Sequence, residues 1–569
     1  MKKNNLFIKS LTCAMALSMV LGTVTGCTNK STGSEYAGTV VADHGDDEEE
    51  TKEPNSLKKK INLRKEAKDQ VSELDSVDRE NLDIVIDTKD KSIFKKGTSV
   101  LSFNYSQIRL MGDSKTKYKS LNASVKKINK KYKKSVNKRF KSLKKSSVKV
   151  FNVAKKTKKG LKEYLPSDYA EELSVERADD KILSFKNEVS SYYTGANHPV
   201  QSTECNNISS KTGKTLNLKD VIKSEYADYT SLSKILTEKL RERYPKKGFY
   251  GDDDKKLAKN VKTTLEKANK GGSANWVINS QEIIFYFDPY TIDGYAAGRY
   301  SVVLSFVKDN KYINDDYLES VNNFTRILST NESEYVDFDQ NGKYDRLQVK
   351  SSYSKYYDIS KITVAYQKGK KSIKVNGYSM ESIVLHSKKF GNFVYVDLHQ
   401  DNDYESIYIF KISTNKVKYV GSIDCGFDSW YDNGTESKRY PTDTDNFSLY
   451  TRMYALSTYS ASRDYVLTSS GKPKALTKYY EVKDDRKLTL KRKLKCNEVN
   501  LDKNEVTKKA TLQKGQKVYI YRTDGETYVD LADKSRTKGY RVYIRDDAEG
   551  SYVNDLNIYD VFKGMIFAG

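Results

Sequence analysis

The sequence of 569 residues is poor in histidine, proline and cysteine. Four histidines leave little material for a His-based catalytic site or a zinc site. Seven prolines argue against a protein built on Pro-rich linkers, and five cysteines are too few for a disulfide scaffold. Only 37% of the residues are hydrophobic, and at this length we expect roughly two to four domains.

The N-terminus has the layout of an export signal. Lys2 and Lys3 precede an apolar run from Leu11 to Val24, which ends at Gly26 before Cys27. The run is too short and too rich in Ser, Thr and Gly for a transmembrane helix, and no other segment approaches the ~18–20 apolar residues of a span. The end of this stretch resembles a bacterial lipobox, which implies that residues 1–26 are a signal peptide. It also implies that Cys27 carries the lipid, such as palmitate, and anchors the protein at the extracellular face of the membrane.

This interpretation limits the disulfides. Cys13 leaves with the signal, so Cys205, Cys425 and Cys496 remain, and at most one intramolecular bridge can form. For such a bridge the favoured pair is Cys425–Cys496, because both residues lie in the C-terminal half. Residues 27–90 are predicted to be an acidic, disordered tether, since residues 28–57 contain almost no apolar side chains.

The net charge of +24 is concentrated in one segment. Residues 115–162 contain 20 Lys and Arg and no Asp or Glu, so the rest of the exported protein is nearly neutral. A helical apolar stripe crosses this segment, and the lysines should face solvent. The stripe consists of Leu121, Val125, Ile128, Tyr132, Val136, Phe140 and Leu143.

Two interpretations of the basic helix remain open. It is either a structural helix with a solvated face, or a surface for polyanions such as anionic lipids or wall teichoic acids. An exported protein meets no chromosome, so nucleic acid is excluded as its partner. The candidate polyanion-binding residues are Lys126, Lys127, Lys130, Lys131, Lys133 and Lys134.

Three motifs follow the basic segment along the chain. They are Tyr192–Pro199 (YYTGANHP), Lys211–Val221 (KTGKTLNLKDV) and Trp276–Gly298 (WVINSQEIIFYFDPYTIDGYAAG). In these motifs residues 91–320 resemble the extracellular domain shared by RsiV-type anti-sigma factors, which sense lysozyme, and PdaC-type peptidoglycan deacetylases. The resemblance implies an α+β fold, with helices packed on an antiparallel sheet, and a ligand-binding role.

The residues agree with that fold. Ile283–Phe287 has the continuous apolar character of a buried strand, and Tyr229–Tyr244 and Leu257–Ala268 have helical patterns. A deacetylase would need a histidine zinc site of H-x-x-x-H spacing, which does not occur, so we expect no catalysis. His198 is interpreted as a turn residue.

Residues 325–500 are predicted to be a β-repeat region with calcium-type loops. Asp337–Asp345 reads D-x-D-x-N-G-x-x-D, in which Asp337, Asp339, Asn341 and Asp345 offer side-chain oxygens and Lys343 a backbone carbonyl to Ca²⁺. The loop resembles those of integrin-α-type (FG-GAP) propeller repeats. The alternative is an Asx-rich turn without metal.

A second metal loop is predicted 60 residues later. It comprises Asp397, Asp401, Asp403 and Glu405, while His399 and His386 have no ligand spacing along the chain. Residues 501–569 resemble an SH3-like β domain. The fold class is therefore an α+β domain followed by a β-rich region of partial propeller-like repeats and an SH3-like barrel.

Together these features predict a non-catalytic lipoprotein of a Gram-positive cell envelope. Its partner would be a wall polymer, a lysozyme-like hydrolase or another envelope protein, with Ca²⁺ as cofactor. The alternative is a peptidoglycan-modifying enzyme or its accessory, although the sequence contains no G-x-S-x-G or H-E-x-x-H motif.

Overall fold

The computed structural model describes residues 74–567, except for 246, 251–252, 272–274, 332, 433, 483–484 and 549. The predicted signal peptide, Cys27 and most of the predicted tether lie outside these residues. Within them, the regular structure is mostly β-sheet with a few helices. No helix in this part of the chain is long and apolar enough to cross a membrane.

The N-terminal part is a sheet with one long connection. Strand β4 pairs antiparallel with β2 and β3 and parallel with β5, and β5, β6 and β7 continue antiparallel. The parallel pair requires a crossover, and helices α1–α3 supply it. The elements are β1 Ser76–Val77, β2 Ile84–Asp90, β3 Ile93–Lys95, β4 Thr98–Leu110, α1 Gly112–Lys117, α2 Lys119–Ala154, α3 Lys158–Lys162, β5 Ser167–Ala178, β6 Ile182–Tyr192 and β7 Val200–Ser209.

The next unit packs two helices on a short antiparallel sheet of order β10-β9-β8. Its core combines Leu236 of α5 and Val261 of α6 with Trp276 and Phe285 of the sheet. Asp228 begins α5, because its Oδ1 accepts the backbone N–H groups of the first turn. The elements are α4 Leu218–Val221, α5 Tyr229–Arg243, α6 Asp254–Gly271, β8 Trp276–Ile278, β9 Glu282–Phe287 and β10 Tyr300–Ser305. The predicted buried strand and both predicted helices are confirmed.

Residues 323–423 form two antiparallel sheets that share one core. A five-stranded sheet of order β12-β17-β18-β19-β20 faces a four-stranded sheet of order β13-β14-β15-β16. Val349 and Val364 of the second meet Val394 and Phe410 of the first. The strands are β11 Ser320–Val321, which pairs with β1, β12 Asn323–Leu328, β13 Ser333–Val336, β14 Asp345–Tyr353, β15 Ile359–Tyr366, β16 Gly369–Gly377, β17 Ser379–Ser387, β18 Gly391–His399, β19 Glu405–Ser413 and β20 Lys416–Ile423.

The C-terminal strands join the N-terminal sheet. Strand β22 pairs antiparallel with β2, with Ile86 opposite Lys438. The elements are β21 Gly426–Asp432, β22 Thr435–Arg439, β23 Phe447–Met453, β24 Tyr459–Val466, β25 Lys474–Ala475, β26 Tyr480–Val482, β27 Lys487–Leu490, β28 Leu494–Asn500, β29 Glu505–Leu512, β30 Lys517–Thr523, β31 Tyr528–Ala532, β32 Gly539–Asp547, β33 Gly550–Val553, β34 Leu556–Asn557, α7 Ile558–Val561 and β35 Phe562–Lys563.

The structure corrects two of the sequence-based domain boundaries and decides the disulfide question. The tether does not extend to residue 90, because Ile84 and Ile86 are buried in a paired strand. The Cys425–Cys496 bridge does not form, since both thiols are free and buried. Residues 501–569 are not a separate unit, because β28 lies before the predicted boundary and pairs with β29 and β32. In the described residues the strands form neither a propeller nor a closed barrel.

Candidate functional site

The predicted basic segment contains a single long helix, α2, whose apolar side is packed on the N-terminal sheet. Leu121 and Val125 join the core around Ile84 and Ile108, and Val136 and Leu143 join a second core around Phe103. The whole predicted stripe lies on this side, with Ile128, Tyr132 and Phe140 partly buried against the same cores. The helix is therefore held along most of its length.

A buried polar cluster fixes the middle of α2. Asn187 donates from Nδ2 to the Tyr132 hydroxyl at 2.6 Å, and Glu171 accepts the backbone N–H of Ser106 at 3.1 Å. The Tyr169 hydroxyl donates to the same carboxylate. Burial raises the pKa of Glu171, and the surrounding donors oppose that rise. These directional contacts set which face of the helix meets the sheet.

A glycine turn closes on the N-terminal end of α2. Gly213 belongs to the second family-like motif and has a φ of +69°, and its carbonyl accepts the Ser124 hydroxyl at 2.6 Å. A Cβ atom at Gly213 would lie 2.4 Å from the carbonyl oxygen of Ser120. The motif therefore needs glycine for two reasons, a left-handed backbone and a close approach to the helix.

The opposite side of α2 is an exposed lysine surface, which we call the basic face. It consists of Lys126, Lys127, Lys130, Lys131, Lys133 and Lys134. All six are exposed, and none forms an ion pair with a residue in the described part of the chain. The six lysines fall within residues 126–134, so the basic face extends along about 12 Å of a 36-residue helix that is about 54 Å long. The structure thus brings all six predicted residues to one surface.

The first calcium-type loop connects β13 to β14, and its own backbone satisfies its key oxygens. Asp337 is buried, and its two oxygens accept the N–H groups of Asn341 at 3.0 Å and Gly342 at 2.9 Å. Asn341 Oδ1 accepts the N–H of Lys343 at 2.7 Å, and exposed Asp339 accepts the Asn341 side chain at 2.8 Å. Burial, with the neighbouring Asp339 carboxylate, raises the pKa of Asp337 to about 7.

Asp345 is turned to other partners. Its Oδ2 accepts the Tyr366 hydroxyl at 2.9 Å and the Gln367 amide at 2.6 Å. The hydrogen bonds of this loop are those of an Asx-type turn, and calcium binding here stays a prediction.

The second predicted loop has a different composition from the one expected. Asp397 and His399 lie on one face of β18, and Glu405 lies directly opposite His399 on β19. One ligand atom from each lies within 4.8 Å of the others, and no other such group of three occurs among the described residues. Asp401 is exposed on the 3₁₀ turn Asp401–Asp403 outside this group.

The pKa values of Asp397 and His399 in this cluster are strongly shifted. Burial raises the pKa of Asp397 well above its ordinary range, and the nearby Glu405 carboxylate raises it further. Burial lowers the pKa of His399, but the Glu405 carboxylate, 3.0 Å from its Nδ1, more than compensates and raises it to about 9. His399 was missed because a calcium-type loop was expected here, and calcium takes oxygen ligands. Glu405 is only six residues further along the same hairpin, whose register places it opposite His399.

His198 lies in an aromatic environment. Its Nε2 is 3.0 Å from the Tyr290 hydroxyl, its Nδ1 is 2.9 Å from the Pro199 carbonyl oxygen, and its ring stacks on Tyr295 at 3.7 Å. The first and third family-like motifs therefore meet in space at this histidine.

Comparison with known proteins identifies part of the chain. Residues 219–306 match the family described as "Protein of unknown function (DUF3298)". Two crystal structures of that family are similar to this chain. One is from Bacteroides fragilis NCTC 9343, with 16% identity, 41% of this chain and 94% of that chain covered, and a TM-score of 0.29.

The other is from Pseudomonas aeruginosa PAO1, with 11% identity, 41% of this chain and 96% of that chain covered, and a TM-score of 0.25. No curated protein matches the chain. Residues 219–306, which hold the α5–α6 pair and the β8–β10 sheet, are a DUF3298 domain.

Proposed function

We propose that this protein is a non-catalytic lipoprotein of the extracellular membrane face, and that its basic face binds a phosphate-rich polymer of the cell envelope. The observation that carries the proposal is the exposed basic face on a helix whose other side is locked to the sheet. A stably held helix fixes the backbone positions of its lysines, so binding of a polyanion restricts the lysine side chains but costs little backbone entropy.

The row of lysine charges on the basic face suits an extended anion with regularly spaced negative charges. A chain of phosphodiesters has a negative charge at each repeat. Successive phosphates can lie along the basic face, which is about 12 Å long, and continue beside the exposed Lys138 and Lys141 of the same helix. Each Lys close to an anionic surface contributes about 1 kcal/mol at ordinary ionic strength, and screening by salt weakens it. Binding should therefore be strong at low salt and should fall steeply as salt rises.

The sequence resemblance supports the same class of function. Residues 91–320 resemble the extracellular domain of RsiV-type and PdaC-type proteins, and the DUF3298 match lies inside that range. In RsiV-type proteins the domain is a ligand-binding module. A lysozyme-like hydrolase is the less favoured ligand for the basic face, because such enzymes are generally cationic.

The test is retention of the purified protein on immobilised teichoic acid over a salt gradient. In one variant, Lys126, Lys127, Lys130, Lys131, Lys133 and Lys134 become Gln. The matched control changes six exposed lysines of the C-terminal strands to Gln, namely Lys493, Lys495, Lys503, Lys509, Lys514 and Lys517. We expect the first variant to elute at much lower salt than the wild type and the control to elute close to the wild type.

If the elution salt falls equally in the two variants, binding depends only on net charge, and the proposal is rejected. Vesicles containing anionic lipid provide a second arm. Binding to these vesicles but not to teichoic acid would assign the basic face to the membrane surface.

A further inference from the structure

The apolar face of the β17–β18–β19 sheet ends in a cluster of ionisable groups. Phe393 and Tyr395 precede Asp397 and His399 on the same face of β18, and Ile407 follows Glu405 on β19. Asp397 is 1% exposed. His399 and Glu405 already pair at 3.0 Å, and Glu381, opposite Asp397 on β17, pairs with Lys438. Asp397 forms no ion pair among the described residues, and a buried carboxylate of this kind is costly unless it is neutralised or bound.

We propose that Asp397, His399 and Glu405 form a binding site for one divalent transition-metal ion, and that zinc is the ion they fit best. His399 Nδ1 and Glu405 Oε1 are 3.0 Å apart, and the ligand atoms of all three residues lie within 4.8 Å of one another. Side-chain shifts of about 1 Å would bring the three atoms to the bond lengths of about 2.0–2.2 Å that one zinc ion requires. This site is independent of the basic face and of the proposed polymer binding.

An unpartnered oxygen points to a missing ligand. Asp397 Oδ2 accepts the backbone N–H of Phe427 at 2.7 Å, whereas Oδ1 is buried and has no hydrogen-bond partner among the described residues. A buried carboxylate oxygen without a partner costs roughly 1–3 kcal/mol or more, and a bound cation would remove that cost. The Phe427 N–H fixes the carboxylate as an outer-shell partner of a metal ligand does.

The surroundings of Glu405 are equally restrictive. A Cβ atom at Gly426 would lie 1.8 Å from Glu405 Oε2, so the strand after the cluster leaves space for the carboxylate only because residue 426 is glycine. The same added atom would lie 2.8 Å from Cε1 of Tyr450, so the Tyr450 ring borders this space as well. Glu405 is thus held in place from two sides, as a ligand needs to be.

The donor set selects the class of metal. Calcium takes six to eight oxygen ligands, and this cluster offers one nitrogen and two carboxylates. Zinc accepts His nitrogen and Asp or Glu oxygen, and catalytic-type sites combine three protein ligands with a fourth, open position. The His399 side chain is 20% exposed, which gives an ion a path from solvent. The second predicted loop is therefore assigned to zinc and not to calcium.

The experiment uses the full chain, stripped with chelator and then titrated with Zn²⁺ or Ca²⁺ alone. We expect one zinc equivalent by calorimetry and by elemental analysis. We also expect zinc X-ray absorption with only nitrogen and oxygen neighbours. Asp397→Asn and Glu405→Gln should each lower the zinc affinity by at least the roughly 10–100-fold that loss of an outer-shell partner costs.

Asp401→Asn is the matched control, because Asp401 lies on the same hairpin and is exposed. It should bind zinc like the wild type. His399→Gln is checked by circular dichroism first, and a folded His399→Gln protein that still binds zinc tightly would overturn the proposal. So would a wild-type chain that binds no zinc equivalent, or one whose thermal midpoint rises with Ca²⁺ through these residues and not with Zn²⁺.

Discussion

Arg439 donates two hydrogen bonds to the carboxylate of Asp83, although the two residues are 356 positions apart. The Nε–Oδ1 distance is 2.7 Å and the Nη2–Oδ2 distance is 3.1 Å. Next to this pair, the Ser437 hydroxyl donates to Asp87 at 2.7 Å. These contacts accompany the pairing of β2 with β22, so the N-terminal and C-terminal parts of the described chain share one sheet.

Removal of the Asp83 carboxylate should destabilise the whole protein. Asp83→Ala leaves a partly buried guanidinium without its bidentate partner, and we expect the free energy of unfolding to fall by about 2 kcal/mol. Urea unfolding followed by circular dichroism measures the change. Asp546→Ala, an exposed carboxylate of β32, is the control and should change the stability by less than about 0.5 kcal/mol. Equal effects of the two variants would contradict the prediction.

Glu319 gives the protein a specific dependence on pH. It is 5% exposed and contacts Arg177 Nη2 at 2.5 Å and Lys181 Nζ at 2.9 Å, and Arg79 Nε donates to it at 3.2 Å. Burial alone would raise its pKa, but the hydrogen bonds from Arg79 and the charge of Arg177 lower the pKa from 4.5 to about 2. The folded state therefore binds this proton more weakly than the unfolded chain does.

The stabilisation from Glu319 is complete above the unfolded pKa of 4.5 and is lost as pH falls towards 2. We expect Glu319→Gln to cost about 3 kcal/mol at pH 6.5, and the difference from wild type to shrink steadily below pH 4.5. Urea unfolding at a series of pH values measures both curves. A difference that stays constant from pH 6.5 to pH 3 would show that the pKa of Glu319 is not lowered by folding.

The two acids of the first calcium-type loop should respond differently to substitution. Asp337→Ala removes the buried acceptor of two backbone N–H groups, so it should destabilise the protein by about 1–3 kcal/mol with or without Ca²⁺. Asp339 is exposed, and Asp339→Asn should be nearly neutral in chelator. Thermal midpoints in Ca²⁺ and in chelator then decide the role of the loop. A rise with Ca²⁺ that Asp339→Asn abolishes supports a metal site, and no rise in the wild type means a plain turn.

Local patterns could be read from the sequence because local physics decides them. The stripe from Leu121 to Leu143 packs on the sheet, and the run at Ile283–Phe287 is a buried strand, since helical period and continuous apolar character depend only on near neighbours. The basic face followed directly from the stripe, because lysines fill the positions that the stripe leaves free.

Long-range pairing could not be read in the same way. Ile84 and Ile86 are a short apolar run beside an acidic segment, and nothing near them indicates that their strand pairs with Thr435–Arg439 as well as with β4. The metal cluster depended instead on the register of a local hairpin, which places His399 opposite Glu405 six residues later. The sequence therefore predicted a metal loop with Asp397 and Glu405, two of the three clustered residues. The third residue, His399, was recognised only from the pairing of β18 with β19.

The packing of α2 can be tested without touching its charges. At Gly213 the φ of +69° disfavours any Cβ atom, and that atom would also lie 2.4 Å from the Ser120 carbonyl oxygen. Gly195 has a φ of +88° and nothing within 4 Å of the added atom, so Gly195→Ala carries the backbone strain alone. We expect Gly195→Ala to lower the free energy of unfolding by about 1–2 kcal/mol.

Gly213→Ala should cost about 1–3 kcal/mol more than Gly195→Ala, because the turn must move away from the helix. Urea unfolding gives both values, and hydrogen exchange of the first turns of α2 should accelerate only in Gly213→Ala. If the two variants lose equal stability and exchange is unchanged, the turn does not hold the helix. A second result concerns the proposed function. If Gly213→Ala loses more stability than Gly195→Ala and also elutes from teichoic acid at lower salt, then the fixed position of α2 contributes to the binding that we propose for its basic face.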